Sequence, residues 1–391
     1  MNKKLNIAMI CDPIGEYKAG AIVSAVRFST LLEERGHKVI FIGAKTKEYP
    51  KEHDTLRGIK TYRFRSIPLP KSGGWYLAFP TIREIKKILH DEKIDIMHVI
   101  LPMSGAIVAV KAAQSLGITI VAHSHSQPEN LFMDMPKMLR PFLDSSWNRF
   151  LAWMYSKGEI IIYPSKMAHS LLKNLTEESK TSVVISNGVN TQEFKPVDTG
   201  DFCNRFNIPD DMIKLAYVGR LFPEKSIDTF IKSIPQIIEE HPHTHVMIIG
   251  GGYLRDTLEK LTHSLHIAKH VSFLGQVSDH DKLLAYNACD IFVSPSLAEL
   301  EGMTILEAMA CGKPIVVPDT EMNAAKYFVD GNGLLFETKN SKDLAEKIMT
   351  LINDTELRKK MGEVGLNNSK KYDIQESANL LEKTYYSALE K

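Results

Sequence analysis

The sequence has no surplus of charge of either sign. Lys+Arg number 48 against 47 Asp+Glu, and the formal net charge is +1. A protein that grips a nucleic-acid backbone carries a basic excess, so nucleic acid is not an expected partner. Cysteine is scarce. Cys11, Cys203, Cys289 and Cys311 are widely spread and form no C-x-x-C pair. That spacing excludes a disulfide framework and the usual zinc motifs, and it fits reduced, buried thiols in a cytosolic protein. No run of 18 or more apolar residues occurs, so no membrane-spanning helix is expected. The short apolar run after Lys3 and Lys4 is interrupted by Asp12 and Pro13. It reads as a first buried strand and not as a secretion signal. Low-complexity tracts and short-period repeats are missing as well.

What is present is alternation. The 391 residues are 44% hydrophobic and 24% charged, an ordinary globular balance with room for two or three domains. Short apolar runs at 5–10, 38–43, 94–99, 119–122 and 160–163 are separated by helical patterns, with an extra strand at 58–64. The style repeats at 215–218, 246–249, 271–274, 291–293, 315–317 and 333–336. Continuous apolar strands between helices mean parallel sheets covered on both faces. Two such runs give an α/β fold of two Rossmann-like doubly wound domains. The joint is expected near 194–200, where Lys195-Pro196 and Gly200 break the periodicity. The expected domains are 1–196 and 197–371, with 372–391 as a final helix. In such sheets ligands bind outside the carboxyl ends of the strands.

Three segments follow strand ends in the second half. Glu299 and Glu307 are eight residues apart. On one helix they would be turned by about 800°, some 80° from alignment, so a loop entering a helix fits better. Gly302 permits close approach of backbone to ligand, and Thr304 stands where first-turn N–H groups attract phosphate. Two carboxylates around a phosphate-binding turn suit a nucleoside diphosphate sugar. Taken alone, solvated glutamates on a surface loop explain the pair better. Arg220 and Lys225 follow another strand, where a guanidinium and an ammonium can grip a diphosphate. Placed at the mouth of the same sheet, they change that balance. Gly250-Gly251-Gly252 lacks the full G-x-G-x-x-G pattern; it can cradle a phosphate or simply reverse the chain, and the plain turn is the favoured reading.

The sequence resembles the retaining glycosyltransferase family 4, over nearly its whole length. The resemblance rests on the E-x7-E motif of Glu299 and Glu307, on Gly219-Arg220 with Lys225, on Ser186-Asn187-Gly188-Val189-Asn190 with Phe194-Lys195-Pro196, and on Phe273-Leu274-Gly275-Gln276-Val277-Ser278. It implies a GT-B fold of two facing Rossmann-like domains and a final helix that crosses back to the first. It implies that Glu307 holds ribose hydroxyls and that Glu299 contacts the donor sugar. Arg220 and Lys225 would hold the diphosphate, the amides of Gly302, Met303 and Thr304 would orient sugar and phosphate, and Gln276 and Val277 would lie against the base. It also implies a nucleotide-sugar donor, a UDP-hexose, as substrate, with no cofactor and no metal ion.

The first half is less informative. The family carries an active-site histidine, which aligns with His125, with His123 as a competitor. Gly20 begins a helix where relatives often have paired glycines; this chain has Ala19-Gly20. The segment 133–157 mixes aromatics and methionines with Lys137, Arg140, Arg149 and Lys157. It fits either a helix packed on its own domain or one lying on an anionic membrane; the loop 71–79 has the same ambiguity. The expectation is thus a hexosyltransferase acting on a lipid or saccharide hydroxyl, cytoplasmic and in contact with the inner membrane face. The rivals are a non-catalytic nucleotide-sugar-binding subunit and an NAD-linked oxidoreductase, the latter disfavoured by the incomplete dinucleotide fingerprint.

Overall fold

The computed structural model describes residues 3–15, 19–69, 75–126, 138–173 and 181–391. The chain divides into two compact units, Met1–Asn187 with Gln375–Lys391, and Gly188–Ile374.

The first unit holds strands β1 (Asn6–Ile10), β2 (Lys38–Ala44), β3 (His53–Leu56), β4 (Ile59–Phe64), β5 (Ser66–Pro68), β6 (Tyr76–Ala78), β7 (Ile96–Val99), β8 (Thr119–His123), β9 (Ile160–Tyr163) and β10 (Thr181–Val184). Eight of them form one sheet in the order β10-β9-β8-β7-β1-β2-β4-β3. All pairs are parallel except the edge hairpin β3–β4. That hairpin turns on Arg57 and Gly58, both at positive φ, as a right-twisted two-residue turn requires. Chain order reverses between β1 and β7. Helix Ile82–Asp91 begins with a capping box: Thr81 Oγ1 accepts from the Glu84 amide and Glu84 accepts from the Thr81 amide. β5 and β6 form a separate two-stranded ribbon.

The second unit holds β11 (Ile213–Val218), β12 (Thr244–Ile249), β13 (Val271–Gly275), β14 (Ile291–Val293), β15 (Ile315–Asp319) and β16 (Gly333–Glu337). They pair in the order β13-β12-β11-β14-β15-β16, all parallel. This is a doubly wound order whose switch point lies between β11 and β14. Alternate residues feed two cores. Leu215 and Tyr217 join one with Val246, Ile248, Ile291 and Val293; Ala216 and Val218 join the other with Met247, Ile249 and Phe292. Both faces are covered, which is why these strands read as continuous apolar runs.

The division differs from the expected 196/197. Phe194 is 1% exposed in the core of the second unit. The Val197 amide donates to Asn287 Oδ1, and Asn287 Nδ2 to the Lys195 carbonyl. The Lys195-Pro196 stretch is therefore docked and not a linker. The chain crosses at Asn187/Gly188 and returns at Ile374/Gln375, three residues beyond the expected 371/372. The strands at the two crossings bond to each other: Val189 N donates to Tyr372 O, and Ile374 N to Val189 O. Gly188 has φ +72, and a Cβ there would lie 2.7 Å from Ile374 Cα, so only glycine fits. The final helix, Ile374–Leu389, packs on the first unit through His37–Glu382 and Arg35–Gln375.

Candidate functional site: a charged switch point

The site in the second unit is built from two loops. The first leaves β11 as Gly219-Arg220-Leu221-Phe222, tightens into the 3-10 turn Pro223–Lys225, and passes Ser226 at φ 48 into helix Ile227–Glu240. The second leaves β14 and runs through Ser296 and Glu299 to Gly302, at φ 99, which starts helix Met303–Ala310. The loops are stitched together. Leu297 N donates to the Glu224 carbonyl at 2.7 Å, and Ser296 Oγ to the same oxygen at 3.3 Å. Buried Asn323 braces the second loop through its side-chain bond to the Ser296 carbonyl. It also caps its own turn at Ala325.

Arg220, Lys225 and Glu299 are thus brought together at the carboxyl ends of β11 and β14. Arg220 Nη2 pairs with Glu224 at 3.0 Å, and Arg220 Cζ lies over the Phe222 ring at 4.7 Å. Lys225 Nζ pairs with Glu299. Each cation therefore already has a carboxylate partner, a feature the spacing alone did not reveal. Both retain solvent access, Arg220 at 24% and Lys225 at 12% of side-chain surface. Tyr217 lies beneath, its phenol pushed well up by burial and by the charges of Glu299 and Glu224.

The three glycines at 250–252 serve backbone packing. A Cβ on Gly250 would stand 1.9 Å from the Gly219 carbonyl oxygen, and one on Gly252 2.3 Å from that of Leu221. The turn backs the Arg220 loop, with Leu221 N bonded to Gly251 O. Gln276 follows β13 and touches the same turn, 3.3 Å from the Cβ position of Gly251. Val277 packs against the core.

Glu307 is on the helix and 2% exposed, while Glu299 is on the loop before it, as the angular argument required. Glu307 Oε2 accepts from the Tyr286 hydroxyl at 2.9 Å, and Lys282 Nζ lies 3.3 Å from it. Lys282 also sits over the Phe194 ring at 5.0 Å. Lys282 and Tyr286 are one turn apart on helix Asp279–Ala288 and were missed in the sequence. Their i, i+4 spacing was the available signal, but nothing local tied them to Glu307. Met303 and Thr304 occupy the first helical turn, where N–H groups lack an i−4 acceptor and can receive an anion.

The first unit differs. Its switch point, between β1 and β7, is occupied by its own chain. Asp12 is fully buried and Oδ2 accepts from Ala78 N, Ser104 Oγ and Gly105 N. Burial raises its carboxyl to about 6 against these hydrogen bonds. Gly20 is exposed at the start of helix Gly20–Glu34, after an Ala19 that offers no side-chain cap. His123 is fully buried and His125 partly so, and burial holds both rings below their ordinary pKa. Pro128-Glu129-Asn130, used for its alignment, lies outside the described residues, as do 133–137 and 71–74. Residues 140–155 form a helix that leaves Phe142 at 69% and Trp153 at 37% exposure. All four cysteines are free and buried, and burial pushes Cys289 and Cys311 up to about 12. Among the described residues no cluster of His, Cys, Asp and Glu could hold a metal, and no helix is long and apolar enough to cross a membrane.

Two Rossmann-like units, one with cations and carboxylates at its switch point, fit a GT-B glycosyltransferase. Comparison with known proteins gives the same answer. Residues 19–193 match the model of Glycosyltransferase Family 4 and residues 200–367 that of Glycosyl transferases group 1. The chain belongs to the family 4 glycosyltransferases. It is 28% identical over 361 residues to an uncharacterized glycosyltransferase of Methanocaldococcus jannaschii, covering 88% of this chain and 87% of that one. It is 23% identical over 384 residues to the alpha-monoglucosyldiacylglycerol synthase of Acholeplasma laidlawii, covering 95% and 94%. Among solved structures it superposes on Anabaena HepE in complex with UDP-glucose with a TM-score of 0.79, at 19% identity, covering 98% and 100%.

Proposed function

We propose that the protein is a retaining, metal-independent hexosyltransferase that moves the sugar of a UDP-hexose to a hydroxyl of a lipid acceptor. The observation that carries the donor half is the meeting of Arg220, Lys225 and Glu299 at one switch point, beside the N-terminal turn of helix Met303–Ala310. A diphosphate fits two cations and free helix amides. On entry it takes Lys225 from Glu299, which leaves that carboxylate to accept from sugar hydroxyls. Glu307, held by Tyr286 and Lys282, accepts from ribose hydroxyls. As the anomeric C–O bond breaks, charge grows on the departing diphosphate. Cations already in place stabilise it without reorganisation. The acceptor oxygen attacks from the same face, and its proton passes to the diphosphate oxygen it replaces. Arg220 and Lys225 supply the positive charge, so a chelator leaves the rate unchanged.

The uridine and lipid assignments draw on two supports. HepE, whose fold this chain shares, was solved with UDP-glucose. The Acholeplasma relative is named for a glucosyldiacylglycerol product. The exposed Met138, Leu139, Phe142 and Trp153 of the first unit, near Arg149 and Lys157, suit contact with an anionic membrane where such an acceptor resides.

The test is a thermal-shift panel of nucleotides and nucleotide sugars on the intact protein. A ligand that binds only the folded state raises Tm. UDP and one UDP-hexose are expected to stabilise, with GDP-mannose and NAD inert. Stabilisation by GDP sugars alone overturns the base assignment, and stabilisation by NAD alone overturns the reaction class.

A further inference from the structure

The first unit contains a column of aromatic polar rings that the transfer reaction does not by itself explain. His98 is on β7 and His123 on β8. The strands are parallel, with His98 opposite Val121. Side chains alternate between faces, so His98, Val121 and His123 share one face. The His98 and His123 rings stack, with centroids 5.5 Å apart and planes 4° from parallel. His123 then meets His125 at 4.0 Å. At the other end, His98 Nδ1 lies 2.7 Å from the Tyr385 hydroxyl. Tyr385 is fully buried on the helix Ile374–Leu389.

Packing alone does not account for this arrangement. His98 Nε2, both nitrogens of His123, and His125 Nε2 are buried with no hydrogen-bond partner. Leaving such groups unpaired costs their desolvation, and apolar rings would fill the space without that cost. The column is also uncharged. Burial holds His98 at about 3 and His123 well below its ordinary value. Its neighbours are Phe28 and Tyr385, neither of which offers a counter-ion, and Tyr385 keeps its proton because burial pushes its phenol well up.

We infer that His98, His123 and Tyr385 are positioning residues that fix the ring orientation of His125. The Tyr385 hydroxyl, 2.7 Å from His98 Nδ1, holds the orientation of the His98 ring. The stack fixes the plane of His123, and at 4.0 Å that ring cannot turn without moving His125. The final helix, which packs on the first unit, thus acts on the ring that the family resemblance aligns with its active-site histidine. The part His125 plays in transfer is the one the family resemblance implies and stands or falls with the proposed function; the coupling itself does not depend on it.

The experiment uses the intact, uniformly 15N-labelled protein and three variants: Tyr385→Phe, His98→Phe and, as a control, Leu381→Ala, a buried residue of the same helix. Side-chain nitrogen resonances report the tautomer and titration of His125. Both column variants are expected to shift them. They are also expected to lower kcat roughly tenfold, on the scale at which misplacement of a reacting group acts, with little change in donor KM. The control is expected to lower Tm while leaving His125 and kcat as they were. Unchanged His125 resonances in both column variants, or equal changes in the control, overturn the inference. If the resonances move but the unaltered protein transfers no sugar from any donor, the column stands and the transfer reading falls.

Discussion

The two units use one sheet architecture and fill its switch point in opposite ways. In the second unit the crevice between β11 and β14 presents Arg220 and Lys225 with solvent access. In the first, the crevice between β1 and β7 is closed by Asp12, whose carboxylate already takes the helix-start amide of Gly105. A helix N-terminus that holds its own anion has little to offer a phosphate. The surfaces diverge as well. Ile67, Phe79, Ile82, Met138, Leu139, Phe142 and Trp153 are among the exposed large hydrophobic residues of the first unit; among the described residues the second has only Tyr253 and Tyr327. The same fold thus carries a charged switch point in one unit and a more apolar surface in the other. Function here resides in the loops and surfaces, not in the sheet.

The sharpest way to break this comparison is at the cations. Lys225→Met is expected to lower transfer by about 10²–10³, as removal of one preorganised charge-stabilising group does, with an unchanged circular dichroism spectrum. Near-normal kcat/KM would remove the second unit's claim to the leaving group. Glu307 calls for the milder Glu307→Gln, because deleting a buried carboxylate paired with Lys282 strands that charge and risks the fold.

A smaller effect should appear on the apolar side. Phe142→Ser with Trp153→Ser is expected to weaken sedimentation with anionic phosphatidylglycerol vesicles severalfold, since each exposed aromatic contributes buried area at the interface. The nucleotide thermal shift should not change. A loss of donor binding would show that the two surfaces are not separable.

A separate effect, on stability and not on activity, is with pH. His98 at about 3, His125 at about 3 and His123 well below its ordinary value are all depressed by burial. The unfolded chain therefore binds more protons below about 6.5, and stability falls as pH drops beneath that value, by up to about 1.4 kcal/mol per pH unit for each ring kept neutral. Asp12, raised to about 6, acts in the opposite sense between about 4 and 6 and offsets one ring. In the second unit His245, at about 4, gives a shallower dependence. Urea unfolding followed by Trp75, Trp147 and Trp153, all in the first unit, should show a midpoint that drops from pH 7 to 5. A flat midpoint would contradict the neutral column.

The sequence determined a good deal without help. Continuous apolar strands between helices named the two doubly wound sheets, because burial on both faces leaves no polar alternation. The spacing of Glu299 and Glu307 separated loop from helix, since 3.6 residues per turn cannot align them. It also pointed to Arg220 and Lys225, because charge after a strand end is local information. The short strands β3, β5, β6 and β10 escaped it; they are short edge or ribbon elements held by pairing and not by a strong apolar pattern. Only the tertiary structure decided which partners hold the site. Glu224, though local to Arg220, is fixed there by the turn between them. Asn323, Lys282 and Tyr286 come from positions distant in sequence. So does the contact of His98 with Tyr385, 287 residues away. Sequence periodicity reports which face of an element is buried. It does not report what that face meets, and there the pairing of charges and rings is set by how the elements pack.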